Sequence, residues 1–98
     1  MMNPQSLLRD GTLYLQGDFT FHSVQQIWLQ LKMKLKEMPR ANIDIDLIEV
    51  QRVDSACLAL FLALTRLAKQ QGKSLHFKNI PDKMRALAKV SGVQALLF

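Results

Sequence analysis

The sequence predicts an α/β fold, because its hydrophobic period switches repeatedly between two residues and three to four residues along one short chain. Three stretches carry the signal. Thr12–Gly17 alternates, Val24–Met38 holds an apolar stripe at helical spacing, and Ile43–Leu47 alternates again. With 98 residues there is enough chain for one domain with a modest core and too little for two, so a single domain over 1–98 is expected.

The elements follow in order. Leu13 and Leu15 face one way and Tyr14 and Gln16 the other, the pattern of a strand with one buried face. Asp10-Gly11 just before it is a hairpin signal, which makes Ser6–Arg9 a short partner strand. From Val24 onward, Val24, Ile27, Trp28, Leu31, Leu35 and Met38 recur every three or four residues and define the first helix. Ser23 or Thr20 can cap its start, and Pro39 ends it by restricting Met38. Ile43, Ile45 and Leu47 then share one face of a strand that is expected to leave the sheet after Leu47. Of the two carboxylates on its other face, Asp44 and Asp46, one is expected in solvent and the other on loop amides at the strand's end.

The second helix begins at Asp54 or Ser55, both N-cap types, and ends with Lys69 in the last turn and Gly72 at C′. Ser74–Lys78 alternates as a further strand. Pro81 suits the first turn of a third helix, Asp82 complements its dipole, and Met84, Leu87 and Ala88 form its buried stripe. Gly92 stops that helix, with Val93 placed for the hydrophobic contact of its cap. Gln94–Phe98 reads as either an edge strand or a final helical turn.

Composition excludes several classes. Hydrophobic residues make up 49% and charged residues 21%, a globular balance rather than a disordered one. No apolar run approaches the ~20 residues needed to span a bilayer, and Met1–Ser6 lacks the marks of a signal peptide. The one cysteine, Cys57, has no internal disulfide partner, so a reducing compartment, the cytoplasm, is expected. The net charge of +5 is spread among separate lysines and reads as a solvated surface. It suits an acidic partner or a place near an anionic membrane and names neither. Nucleic-acid binding lacks its basic stripe with aromatic platforms.

Catalytic and ligand motifs are missing too. His22 and His76 lie in different elements, with no cluster at metal-ligand spacing. Ser55 is not in a nucleophile elbow, and no glycine-rich phosphate loop is present. We therefore expect no catalytic residue, metal or cofactor. Cys57, one turn into a helix, reads as a buried inert thiol, and Trp28 as core.

The second helix is the informative segment. A helix lying on a sheet needs one apolar stripe, yet Ala56–Leu64 is apolar in every direction. Leu60, Leu64, Leu67 and Ala68 are taken to face the sheet. Leu58, Leu62 and Thr65 are then left outward, and an apolar patch of this kind marks a protein contact, including weak self-association. Ser55 at the helix start is a cap, and also an exposed hydroxyl that a kinase could reach.

The run Asp46-Leu47, Val53-Asp54-Ser55-Ala56-Cys57-Leu58-Ala59-Leu60 and Leu67-Ala68-Lys69-Gln70-Gln71-Gly72 resembles the STAS domain family, the fold of anti-sigma-factor antagonists. Gly17-Asp18-Phe19-Thr20 with Ser23-Val24 is similar to that family's strand-to-helix turn. The resemblance spans about Thr12 to Val93 and implies an α/β STAS fold: a mixed sheet of four to five strands with its helices packed on one side. It implies a non-enzymatic module. The short length and the Ala-Lys-Gln-Gln-Gly helix end are nearest to the branch serving phospholipid-transporting ABC systems, which implies an ATPase subunit as protein partner and only indirect membrane association. Asp18, Thr20, Asp54, Ser55, Ala56, Leu58, Leu62 and Thr65 become the expected partner-binding residues. The alternative is an anti-sigma-factor antagonist switched by phosphorylation of Ser55. One departure bears on that alternative. The motif's fourth residue, usually Gly, is Cys57, whose side chain fills space a close backbone approach needs. This weighs against a serine kinase more than against helix docking.

Overall fold

The computed structural model describes residues 2–98. Its first turn is set by Asp10 and Gly11, at φ 51° and 79°. Two successive residues at positive φ make the tight turn whose twist matches paired strands, so β1 (Gln5–Arg9) and β2 (Thr12–Phe19) pair antiparallel with Arg9 opposite Thr12. After α1 (Val24–Glu37) the chain enters β3 (Asn42–Val53), parallel to β2. After α2 (Ser55–Gln70) it enters β4 (Ser74–Lys78), parallel to β3. The sheet order is β1-β2-β3-β4. Two right-handed crossovers stepping the same way across a sheet put both helices on the same face. Burial agrees: Leu13, Leu15, Ile43, Ile45 and Leu47 are buried, while Tyr14, Gln16, Asp44 and Asp46 on the other face keep partial exposure. The chain finishes with α3 (Asp82–Val90) and a one-turn α4 (Gln94–Leu97), which resolves the sequence alternative for the tail in favour of the helical turn.

β3 departs from expectation. It runs on to Val53 rather than leaving the sheet after Leu47. Its pairing with β2 slips twice, between Tyr14 and Gln16 and again between Gly17 and Asp18, where β3 carries an extra residue opposite its partner. Each bulge inverts the inside-outside alternation, which is why period two fades although the strand continues. β4 pairs with β3 only as far as Asp46 opposite Lys78, so residues 47–53, more than half of β3, are flanked by β2 alone.

The helix ends use the expected chemistry. Lys73 N donates to Ala68 O and Gly72 N to Lys69 O at the end of α2, a Schellman cap with Gly72 at C′. The same pair closes α3, from Val93 N to Ala88 O and Gly92 N to Lys89 O. Phe61 of α2 stacks on Phe77 of β4 at 4.7 Å, and Phe98 meets Phe77 edge-on at 5.7 Å, which fastens the C-terminal turn to the core. On the open face Lys78 pairs with Asp44 at 3.0 Å. Asp46 Oδ1 accepts from Ile48 N at 2.9 Å, within β3 at its first register slip rather than on loop amides at a strand end as expected.

Candidate functional site

The parallel strands β2 and β3 deliver two loops to one end of the sheet, where α/β folds place their ligand crevice. Asp54 fastens the loops together. Its Oδ1 accepts from Ala56 N at 2.8 Å, capping α2, and its Oδ2 accepts from Phe21 N at 2.9 Å in the β2–α1 turn. Asp54 is thus the cap, and Ser55 is the first helical residue. The β2–α1 turn is braced by Ser23, whose hydroxyl donates to Asp18 O at 2.7 Å and accepts from Thr20 N at 2.9 Å. Ser23 therefore stabilises the turn before α1 and makes no side-chain cap of that helix.

Asp18 is 3% exposed. Its Oδ2 accepts from Met2 N at 3.2 Å while its own N–H donates to Met2 O at 3.0 Å. The N-terminal backbone crosses so closely that a Cβ on Gly17, at φ 91°, would lie 2.3 Å from Asn3 O; only glycine fits there. Asp18 is a positioning residue in this geometry, with its carboxylate turned to the protein's own N-terminal segment.

Asp18, Thr20 and Asp54, all singled out from sequence, come together in a cleft of about 520 Å³ with His22, Arg52, Pro81 and Lys83. Ser55 stands exposed beside it, and its hydroxyl makes no hydrogen bond among the described residues. Phe21, 75% exposed, sits on the same turn. Neither Phe21 nor the basic trio was found by sequence reasoning. The trio comes from separate elements and shares no local pattern, but a lone aromatic in the turn between a strand and a helix was a readable signal for Phe21.

The outward stripe of α2 requires correction. At 3.6 residues per turn, the residues facing the sheet are Cys57, Phe61, Leu64 and Ala68, all at most 2% exposed. Leu58, expected outward, is 4% exposed and belongs to the core. Leu62 and Thr65 are half-buried and turn toward α4, where they line a groove with Arg66, Lys69, Val93 and Leu96. The ridge that does face outward is Ser55, Ala59 and Arg66. On its α1 side, Ala56, Ala59, Leu60 and Ala63 line an apolar groove of about 280 Å³ with Val24, Gln25 and Trp28. Trp28 is half-buried, a groove wall with Lys32 Nζ 5.2 Å from its ring, rather than core.

Cys57 is fully buried, and burial pushes its thiol well above the ordinary thiol range, the Asp54 carboxylate adding to the shift. Desolvation and a neighbouring anion overcome the helix N-terminus, which alone would favour thiolate. The thiol stays protonated and inert. Among the described residues no group of His, Cys, Asp and Glu is arranged to hold a metal ion, and no helix is long and apolar enough to cross a membrane.

A family model described as Mlab, STAS domain matches residues 2–98. The chain belongs to the MlaB-type STAS domain family. It is 37% identical over 84 residues to the intermembrane phospholipid transport system binding protein MlaB of Escherichia coli, a match covering 86% of this chain and 82% of that protein. The MlaB protein of Shigella flexneri matches to the same degree. Among solved structures, the Bacillus cell fate determinant SpoIIAA in its phosphorylated form superposes with TM-score 0.67 at 19% identity, covering 94% of this chain and 86% of that one. The unphosphorylated anti-sigma factor antagonist SpoIIAA superposes with TM-score 0.65 at 18% identity, covering 88% and 81%. At these identities SpoIIAA establishes the shared STAS fold, a mixed sheet with helices as in this MlaB-type chain.

Proposed function

We propose that this chain is the non-catalytic STAS subunit of an intermembrane phospholipid ABC transport system and docks on its ATPase subunit through the start of α2. The similarity to MlaB, over most of both chains, carries the reading. The surface is Ser55, Ala56, Ala59 and Ala63 with Trp28 at its border; Asp18, Thr20 and Asp54 hold the turns that present it. Small side chains suit this task, since a partner helix can approach an alanine ridge closely and exclude water along its length. The subunit supplies no reacting group and acts in the cytoplasm, at the inner membrane only through the complex.

Co-purification with the cognate ATPase tests it. Ser55→Glu or Ala59→Asp, both at exposed positions, abolishes capture while circular dichroism and the unfolding midpoint stay unchanged. Undiminished capture by both variants rejects this interface.

The exposed Ser55 hydroxyl favours a second reading, an anti-sigma-factor antagonist switched by phosphorylation. The site is poorly prepared for the product, because the Asp54 carboxylate already occupies the Ala56 amide and would repel a phosphate on the next residue. Intact mass after incubation with an anti-sigma kinase decides: no added phosphate excludes the switch.

A further inference from the structure

The flank of α2 turned away from α1 holds a groove of different character. Its volume is about 500 Å³, within the range of sites that enclose small molecules. Leu62 and Val93 form a half-buried apolar floor, and Leu96, 62% exposed, continues it to the rim. Arg66 and Lys69, one turn apart on α2, stand along the other rim. Neither takes part in an ion pair among the described residues, where Lys78–Asp44 is the one pair found. No Asp or Glu lines the groove. Between floor and rim lies Thr65, whose Oγ1 is buried and has no hydrogen-bond partner among the described residues. Buried hydroxyls are ordinarily paired, and one left open at a groove asks what completes it.

An apolar trough, an unanswered hydroxyl and two free cations together describe one kind of guest. We propose that this groove binds a single-chain anionic amphiphile, its acyl chain along Leu62, Val93 and Leu96 and its acid head between Arg66 and Lys69. The Thr65 hydroxyl, covered while the groove is empty, rotates about χ1 to donate to the head group. A neutral apolar segment of a partner protein would cover the trough and leave both cations without counter-charge, and a free anion would leave the trough wet. An amphiphile meets both requirements, the guanidinium fork matching the oxygens of a phosphate or carboxylate. The site uses the opposite flank of α2 from Ala56 and Ala63, so it does not rest on the ATPase reading.

Titration of the isotope-labelled full chain with n-dodecyl phosphate, kept below its micelle concentration, tests the proposal by amide NMR. Inorganic phosphate and the neutral dodecyl maltoside serve as the comparison probes. The expected result is saturable shifts centred on Thr65, Val93 and Leu96, absent with inorganic phosphate at the same concentration. Replacing both cations, Arg66→Gln with Lys69→Gln, weakens dodecyl phosphate about tenfold and leaves the weak binding of dodecyl maltoside unchanged. Leu96→Ser, at an exposed position, weakens both amphiphiles. Equal affinity for the neutral probe, equal shifts with inorganic phosphate, or shifts centred on Val24 and Trp28 would each overturn it, as would indifference to the double substitution. Capture of the ATPase by the Leu96→Ser protein, measured in parallel, stays intact and separates this site from the docking ridge.

Discussion

Leu58 and Ala59 are adjacent in the chain and opposite in fate: one is 4% exposed in the core, the other stands on the outer ridge of α2. The inner face of this helix is built for volume, with Phe61 and Leu64 filling space against the sheet. The outer face is built for access, with Ala56, Ala59 and Ala63 leaving the backbone near the surface. Composition does not separate the two, since both faces are apolar. What separates them is size: large side chains pack where the fold needs filling, and small ones remain where something else is to pack.

Four substitutions can break or sharpen that contrast. Phe61→Ala removes the ring stacked on Phe77 and leaves a cavity beside β4; chemical denaturation should report a loss of about 3–5 kcal/mol. Leu58→Ala should cost about 2–4 kcal/mol, and a loss below about 0.5 kcal/mol would return Leu58 to the outer face and undo the contrast. Asp54→Ala removes a helix cap and the tie to Phe21 N at once, for about 1–2 kcal/mol in the same measurement. Protection of the Phe21 amide from hydrogen exchange should fall with it. Ala59→Asp closes the series: its thermal midpoint should stay within the few degrees that ~0.5 kcal/mol produces in a chain of this size. All of its effect should then appear in binding to the ATPase.

The legibility of the fold follows from local chemistry. Asp10-Gly11 announced the hairpin because few residues tolerate that turn, and Gly72 announced the end of α2 because the helix cap needs it. β4 was legible residue for residue, an unbulged strand with clean alternation. The far half of β3 was not, since its two register slips erase the period that identifies a strand. The phase of α2 was lost for a related reason. Where every direction is apolar, periodicity carries no angle, and Phe61, left out of both stripes, was the residue that would have fixed it. At the site, the joining of Asp18, Thr20 and Asp54 came from family resemblance rather than from any pattern in the residues. Trp28 was misplaced because a helical stripe marks the buried side without marking its border.

The end of β3 has a consequence for solubility. A strand flanked on one side only offers its free backbone groups to any extended chain that meets it, and such rims are where proteins join into unwanted fibres. Here the rim carries Glu49 and Arg52, both exposed, and the two register slips bend the chain out of the flat geometry that a recruited strand requires. The same irregularities that hid half of β3 from the sequence make this rim a poor template for an added strand.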